Sequence, residues 1–313
     1  MKYACINENE AEFDVRMMCS LFSVSRSGFY AWKSRTPSAR TQRNEELIEK
    51  MRAIHKKSRQ TYGSPRMCAR LRKDGIRITR KCTARLMKQA GIVVKIRRRF
   101  KATTNSKHAF PIAPNILDRR FSPEEIGAPN RCWAGDITYI DTMEGWLYLA
   151  TVEDLFSRRI VGWSMSHSMQ SALVTDALTM AFERCGHQPG VLYHSDRGSQ
   201  YAGHESRELL EKYQMTCSMS RKGNCWDNAA VESFNGTLKT ELIHRRRWAT
   251  REEARGAVYE YIEVWYNRQR LHSTLGYCSP EEYEGLHAAG LLEPTAASGG
   301  DDHPEGDSYP TET

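Results

Sequence analysis

The stretch from residue 131 onward limits the possible folds more than any other part of this 313-residue chain. It reads R-C-W-A-G-D-I-T-Y-I, then W-L-Y-L-A-T-V-E-D, then R-R-I-V-G-W-S-M. Each segment is short and rich in aromatic or β-branched residues, and turn signals such as Met143-Glu144-Gly145 separate them, so they read as consecutive strands. A helical pattern follows over 171–184, a short strand over 191–194, a helix over 205–213 and another short strand over 215–218. Three strands in succession, then alternating helices and strands, predict a mixed five-stranded α/β sheet with helices packed against it.

A helix closes the series. In W-D-N-A-A-V-E-S-F-N-G-T-L-K, residues 226–239, Asp227 or Asn228 is placed to cap the start by accepting first-turn amides. Val231, Phe234 and Leu238 recur at three and four residues and form one apolar stripe. Glu232 borders the stripe, and Lys239 points the same way because seven residues make almost two turns. Asp136 lies in the first strand and Asp196 just past the fourth. If those two strands are neighbours, both aspartates reach one edge of the sheet, and the helix can add Glu232. Three gathered carboxylates repel one another unless a cation stands between them, and hard divalent ions take oxygen ligands. Two Mg²⁺ ions about 3.5–4 Å apart would stabilise the attacking and leaving oxygens of a phosphoryl displacement. Asp136, Asp196 and Glu232 are therefore the candidate catalytic and metal-ligating residues.

Other acids nearby have plainer readings. Asp141 is an odd step from Asp136 and falls on the opposite strand face. Asp154 closes a strand beside Glu153 and is assigned a structural role. Glu205, Glu208 and Glu211 line an exposed helix face. His194 adjoins the site as a supporting group rather than a base. Trp226 is a packing anchor or a surface for DNA stacking, not a catalyst.

Charge is divided unevenly along the chain. Residues 1–120 carry 29 Lys and Arg against 9 Asp and Glu, and residues 121–313 carry 17 against 29. A basic segment that strong points to a polyanion, and nucleic acid is the expected partner. Within it, a helix over 13–22 and a second opening after Ser25 make a helix-turn-helix-like segment, 1–36, whose second helix starts with Arg26. Residues 37–94 read as a trihelical unit: a helix over 41–57 with Leu47, Ile48, Met51 and Ile54 inward, one over 67–73 with Ser64 as cap and Pro65 first in the helix, and one over 80–89 capped by Thr79. The last exposes Arg80, Lys81, Arg85 and Lys88 for major-groove docking. Residues 95–122 form a basic, proline-marked connector in which Arg97, Arg98 and Arg99 suit phosphate contact. A catalytic domain over 123–286 ends in a helix over 252–266, followed by Arg268, Arg270 and His272 as a phosphate-contact edge. From residue 288 the tail holds six acids and no base, and 287–313 is expected to be disordered.

No run approaches the roughly 18 apolar residues of a membrane span, and the first ten residues turn acidic where a secretory leader is apolar. A cytoplasmic protein without membrane contact is expected. The nine cysteines form no C-x-x-C pair, which argues against a zinc ribbon or redox dithiol.

These motifs together resemble one family. Y-H-S-D-R-G-S-Q-Y around Asp196 is similar to the second-aspartate signature of bacterial insertion-sequence transposases, and W-D-N-A with Glu232, Phe234, Leu238 and Lys239 to their glutamate helix. The 36-residue step from Asp196 to Glu232 is the family's spacing, and W-A-G-D-I-T-Y-I matches its first aspartate. Y-N-R-Q-R-L-H-S-T-L-G-Y with Ser279-Pro280 resembles its C-terminal signature. Over about residues 15–286 the chain resembles the second-frame (OrfB) product of an IS-three-type transposase with a retroviral-integrase-like core. The resemblance implies an RNase H-like catalytic domain behind an all-α helix-turn-helix region, and Mg²⁺ at Asp136, Asp196 and Glu232, with Mn²⁺ as a substitute. It also implies DNA contact by Lys239, hydrolysis that frees a 3′-OH at the element's terminal inverted repeat, and attack of that hydroxyl on another phosphodiester. A homo-oligomer on DNA and a first-frame (OrfA) protein, as fusion or partner, are implied as well. The sequence shows no sustained heptad segment of the kind the first-frame protein carries.

Overall fold

The computed structural model describes residues 1–94, 110–222 and 225–292. The connector arginines Arg97, Arg98 and Arg99 and the acidic tail beyond 292 lie outside the described residues. Among the described residues no helix is long and apolar enough to cross a membrane, and no cysteine is in a disulfide.

Three short helices begin the chain: α1 (Lys2–Glu8), α2 (Val15–Leu21) and α3 (Arg26–Lys33). The first was not foreseen; it supplies Ile6 to a small core with Met18, Cys19 and Phe29. Ser25 caps α3 as expected, its hydroxyl accepting from the Gly28 amide at 3.0 Å. Phe13, expected inside α2, precedes it and is 52% exposed.

The trihelical unit follows as α4 (Ala39–Lys57), α5 (Ser64–Lys73) and α6 (Arg80–Gln89). Ser38 caps α4, which therefore starts two residues earlier than its apolar period suggested. Gly63, not Ser64, occupies the cap position of α5, so Pro65 sits in the first turn, where a missing N–H costs little. Thr79 caps α6 through the Cys82 amide at 3.2 Å. The apolar side of the unit does not stop at its own boundary. Leu47, Met51, Leu71 and Leu86 belong to one buried cluster with Ile140, Leu149 and Trp265 of the following domain. Tyr62 seals the junction, its hydroxyl accepting from the Leu271 amide at 2.8 Å and its ring 5.9 Å from that of Trp265. Lys73 pairs with Glu282 and Arg59 with Glu260 across the same junction.

A single turn, α7 (Pro123–Ile126), leads to the sheet: β1 (Cys132–Thr142), β2 (Gly145–Asp154), β3 (Ile160–Ser166), β4 (Leu192–Ser195) and β5 (Thr216–Met219), in spatial order β3-β2-β1-β4-β5. The first three form an antiparallel meander, and β4 and β5 run parallel to β1. Helices α8 (Ser171–Arg184), α9 (Ser199–Ala202) and α10 (His204–Lys212) connect the later strands. One face of the sheet packs on α8 and α10 through Val161, Ala177, Leu178 and Leu210. Gly162 permits this approach, because a Cβ there would stand 2.1 Å from the Ala177 carbonyl oxygen.

The other face carries a 3₁₀ turn (Cys225–Asn228), α11 (Ala229–Glu241) and α12 (Arg251–Glu260), which continues as a π-helical segment (Tyr261–Tyr266). The expected 252–266 helix thus changes pitch midway, turning Tyr261, Ile262, Trp265 and Tyr266 into the core while Val264 stays exposed. Helix α13 (Pro280–Ala288) opens with a capping box between Ser279 and Glu282.

Candidate active site

Parallel pairing between β1 and β4 brings two distant segments together. The last paired residues are Gly135 and Ser195, so Asp136 in β1 and Asp196, one residue past the end of β4, come next, where the sheet narrows from five strands to three. Gly135 is required for this arrangement: a Cβ there would stand 2.1 Å from the Tyr193 hydroxyl. Asp196 closes a tight turn, its Oδ1 accepting from the Gly198 amide at 2.8 Å.

Helix α11 lies over this point. Val231, Phe234 and Leu238 are buried, as their spacing predicts. Asn235, one turn beyond Glu232, donates from Nδ2 to Asp136 Oδ2 at 2.7 Å. Asn235, Glu232 and Lys239 share a helical face, so the bond turns that face toward the aspartates. The carboxyl of Asp136 is pushed up to about 7, first by burial and then by the charge of Asp196, with a smaller push from Glu232. The Ile137 amide and Asn235 pull the other way. Asp136 therefore feels the charges of both Asp196 and Glu232, and a divalent cation is the natural counter-charge for such an environment. Oxygen donors suit such an ion, but among the described residues no group of three or more acidic, histidine or cysteine side chains is placed to hold a metal.

Two buried carboxylates that the sequence did not reveal hold α11 at its ends. Asp227, read as a helix cap, makes no such bond. It is fully buried and accepts from Arg221 at 2.8 Å through Nε and 2.8 Å through Nη2, from Arg119 at 2.8 Å and from Asn115 at 3.0 Å. These donors hold its carboxyl well below the usual range, the Arg221 hydrogen bonds most of all. At the other end Glu241 accepts from Tyr261 at 2.9 Å, Trp265 at 3.2 Å and Arg270 at 3.0 Å. Arg270 is only 5% exposed and pairs with Glu241 at 2.9 Å, which corrects its expected place on a phosphate-contact edge. His272, from the same motif, is also buried. A W-D-N triplet ahead of an acidic helix and an arginine amid aromatic residues were the available signals for these two anchors.

The remaining candidates divide by exposure. Arg26, Arg80, Lys81 and Arg85 are exposed on α3 and α6. Arg268 is exposed and 3.3 Å from Glu281. Lys239 is half-buried on the α11 face just described. His194 is fully buried, with Nδ1 2.9 Å from Ser218 Oγ and Nε2 3.2 Å from Ser220 Oγ. Burial lowers its ring to about 4, and its two serine contacts tie β4 to β5 and the residue just after it. Asp154 accepts from the amides of Asn130, Phe156 and Ser157, the structural role expected of it. Trp226 is 68% exposed and is no packing anchor.

Family models and known relatives match this chain over most of its length. Family models described as "Integrase core domain" match residues 127–225 and 213–280, and one described as "HTH-like domain" matches residues 42–100. The "Insertion element IS600 uncharacterized 31 kDa protein" of Shigella sonnei is 45% identical over 266 residues, covering 85% of this chain and 97% of that protein. The "Transposase InsF for insertion sequence IS3A" of Escherichia coli (strain K12) is 41% identical over 291 residues, covering 92% of this chain and 100% of that protein. Among solved structures, a chain of the simian T-cell lymphotropic virus intasome in complex with PP2A regulatory subunit B56 gamma matches with a TM-score of 0.42 and 15% identity, over 84% of this chain and 80% of that one. The core is RNase H-like, a mixed five-stranded sheet with helices behind an all-α helix-turn-helix region, as expected from the sequence.

Proposed function

The chain belongs to the IS3-family insertion-sequence transposases, enzymes with an integrase core domain, and from that premise we propose that it cuts its element's ends and joins the freed 3′-hydroxyl to another phosphodiester. The observation that carries this reading is the Asn235–Asp136 hydrogen bond, which docks the glutamate helix over the paired ends of β1 and β4. In this reading Asp136, Asp196 and Glu232 hold two Mg²⁺ ions, with Mn²⁺ as a substitute. When bound, the metal pair stabilises charge on the attacking and leaving oxygens of the displacement.

The protein's own groups do the positioning. Asn235 fixes the rotamer of Asp136, so one ligand is preorganised before substrate arrives. Lys239 lies two turns along the same face from Glu232 and supplies a cation for the phosphate next to the scissile one. Arg26, Arg80, Lys81, Arg85 and Arg268 contact DNA away from the chemistry, as do Arg97, Arg98 and Arg99 on sequence grounds. The first reaction spends water on a phosphodiester and leaves a 3′-OH; the second spends that hydroxyl on another phosphodiester and releases a new 3′-OH. The substrates are the element's terminal inverted repeats and a target duplex, processed in the bacterial cytoplasm by a homo-oligomer assembled on DNA, with a first-frame (OrfA) protein as fusion or partner.

The test is incubation of labelled element ends with Mg²⁺, with and without the first-frame protein. Cleavage confined to the element terminus, followed by joined products, is expected. Degradation of any duplex without joining would replace this reading with that of a general nuclease, and binding without cleavage in both arms would contradict it.

A further inference from the structure

A cavity of about 740 Å³ opens on the trihelical unit, away from the carboxylates. Five arginines line it: Arg40 and Arg43 from the first turns of α4, Arg72 from the end of α5, Arg77 from the turn before α6, and Arg85 from α6. All five are exposed, and among the described residues no carboxylate lines the cavity. Its apolar floor includes Leu47 and Ile78, both part of the buried core, so the walls stand on a fixed base.

Two of the guanidinium groups are held from below. Arg72 Nε donates to the Ile78 carbonyl at 3.0 Å, and Arg43 donates to the Arg77 carbonyl at 3.3 Å. Each bond uses one N–H of five, so the fork is oriented while its other donors remain for an outside acceptor. Unneutralised positive charge in a concave site raises the local concentration of anions. Planar guanidinium forks suit paired phosphate oxygens better than a small spherical ion. The groove also divides the surface of α6. Thr79, Cys82 and Arg85 line it at spacings of three residues, whereas Arg80 and Lys81 are not among its lining residues.

We infer that this groove is a phosphate clamp that seats successive backbone phosphates of one DNA strand through Arg40, Arg43 and Arg77, leaving the Arg80–Lys81 side of α6 to meet base edges. The inference rests on the reading of the chain as a DNA-processing enzyme and adds a site to it. Phosphate contact carries no sequence information, so the clamp sets register and affinity, and α6 sets discrimination. The groove lies in the same unit as Tyr62, whose bond to Leu271 ties that unit to the catalytic domain, so a strand held in the clamp has a fixed relation to the carboxylate site.

The test measures binding of the full chain to labelled duplexes in metal-free buffer over a range of salt concentrations, where no cleavage takes place. Each phosphate contact contributes about 0.9 to the slope of log K against log [salt]. The triple variant Arg40→Gln/Arg43→Gln/Arg77→Gln should lower that slope by about 2 to 3 for every duplex sequence, and Arg→Lys at the same positions should keep most of it. Arg80→Gln/Lys81→Gln should instead narrow the affinity difference between element ends and unrelated duplex. An unchanged slope in a triple variant with wild-type circular dichroism overturns the clamp. Cleavage by the catalytic domain is read separately with Mg²⁺, so loss of the clamp and loss of the transposase reading give different results.

Discussion

Asn235 Nδ2 stands 2.7 Å from Asp136 Oδ2, joining residues 99 positions apart into one unit. The bond crosses from the glutamate helix to the central strand, so it sets both the rotamer of one acid and the rotation of the helix that carries another. Asn235→Ala removes the donor and leaves the three acids in place. Cleavage should fall by about 10- to 100-fold. The Mg²⁺ concentration for half-maximal rate should rise, while DNA affinity in metal-free buffer stays the same. A variant with reduced rate but an unchanged Mg²⁺ requirement would show that Asn235 does not act through Asp136.

Arg270 and Glu241 form the buried ion pair at the far end of α11. Removing one partner strands the other charge, a loss of about 3–5 kcal/mol for pairs of this kind. Arg270→Met should therefore lower stability to chemical denaturation by that order while leaving the salt slope of DNA binding intact. Arg268→Gln, at an exposed position, should do the opposite and lower the slope by about 0.9. A stable Arg270→Met protein with a lowered slope would restore Arg270 to the DNA surface.

The contrast between these two arginines shows how far the sequence can be read. The periods of β1 and α11 gave the strands, the apolar stripe and the common direction of Glu232 and Lys239, because local backbone geometry dictates them. The neighbouring of β1 and β4 was only a condition, since nothing local encodes which strands pair. Asp227 looked like a helix cap because caps are judged from the next few residues, whereas one of its donors, Arg119, is 108 positions away. Arg270 looked exposed because charged residues usually are. Its partner lies 29 residues earlier, and the aromatic cage closes only when the π-helical segment turns Tyr261 and Trp265 inward. Tertiary pairing, not composition, separates Arg270 from Arg268.

His194 gives a prediction about pH. Its ring is lowered to about 4 from an ordinary 6.5, chiefly by burial, so the folded protein keeps it neutral where the unfolded chain protonates it. Between those values the unfolded state binds the extra proton, and stability rises with pH across the window. The contribution is complete above the ordinary value and is lost as pH falls toward about 4, with an upper bound of about 3 kcal/mol. His194→Asn keeps one hydrogen bond to the serines but cannot titrate. Denaturation midpoints for wild type should drop more than those of the variant between near-neutral buffer and the lower end of the window. Parallel curves would remove His194 from the acid response.

In the proposed reaction Asp136, Asp196 and Glu232 act together on one phosphodiester. Strand cleavage of a labelled element end in Mg²⁺ should be abolished by each of Asp136→Asn, Asp196→Asn and Glu232→Gln, with DNA affinity in metal-free buffer nearly unchanged. Cleavage at the wild-type rate by any one of the three purified variants would exclude that residue from the chemistry.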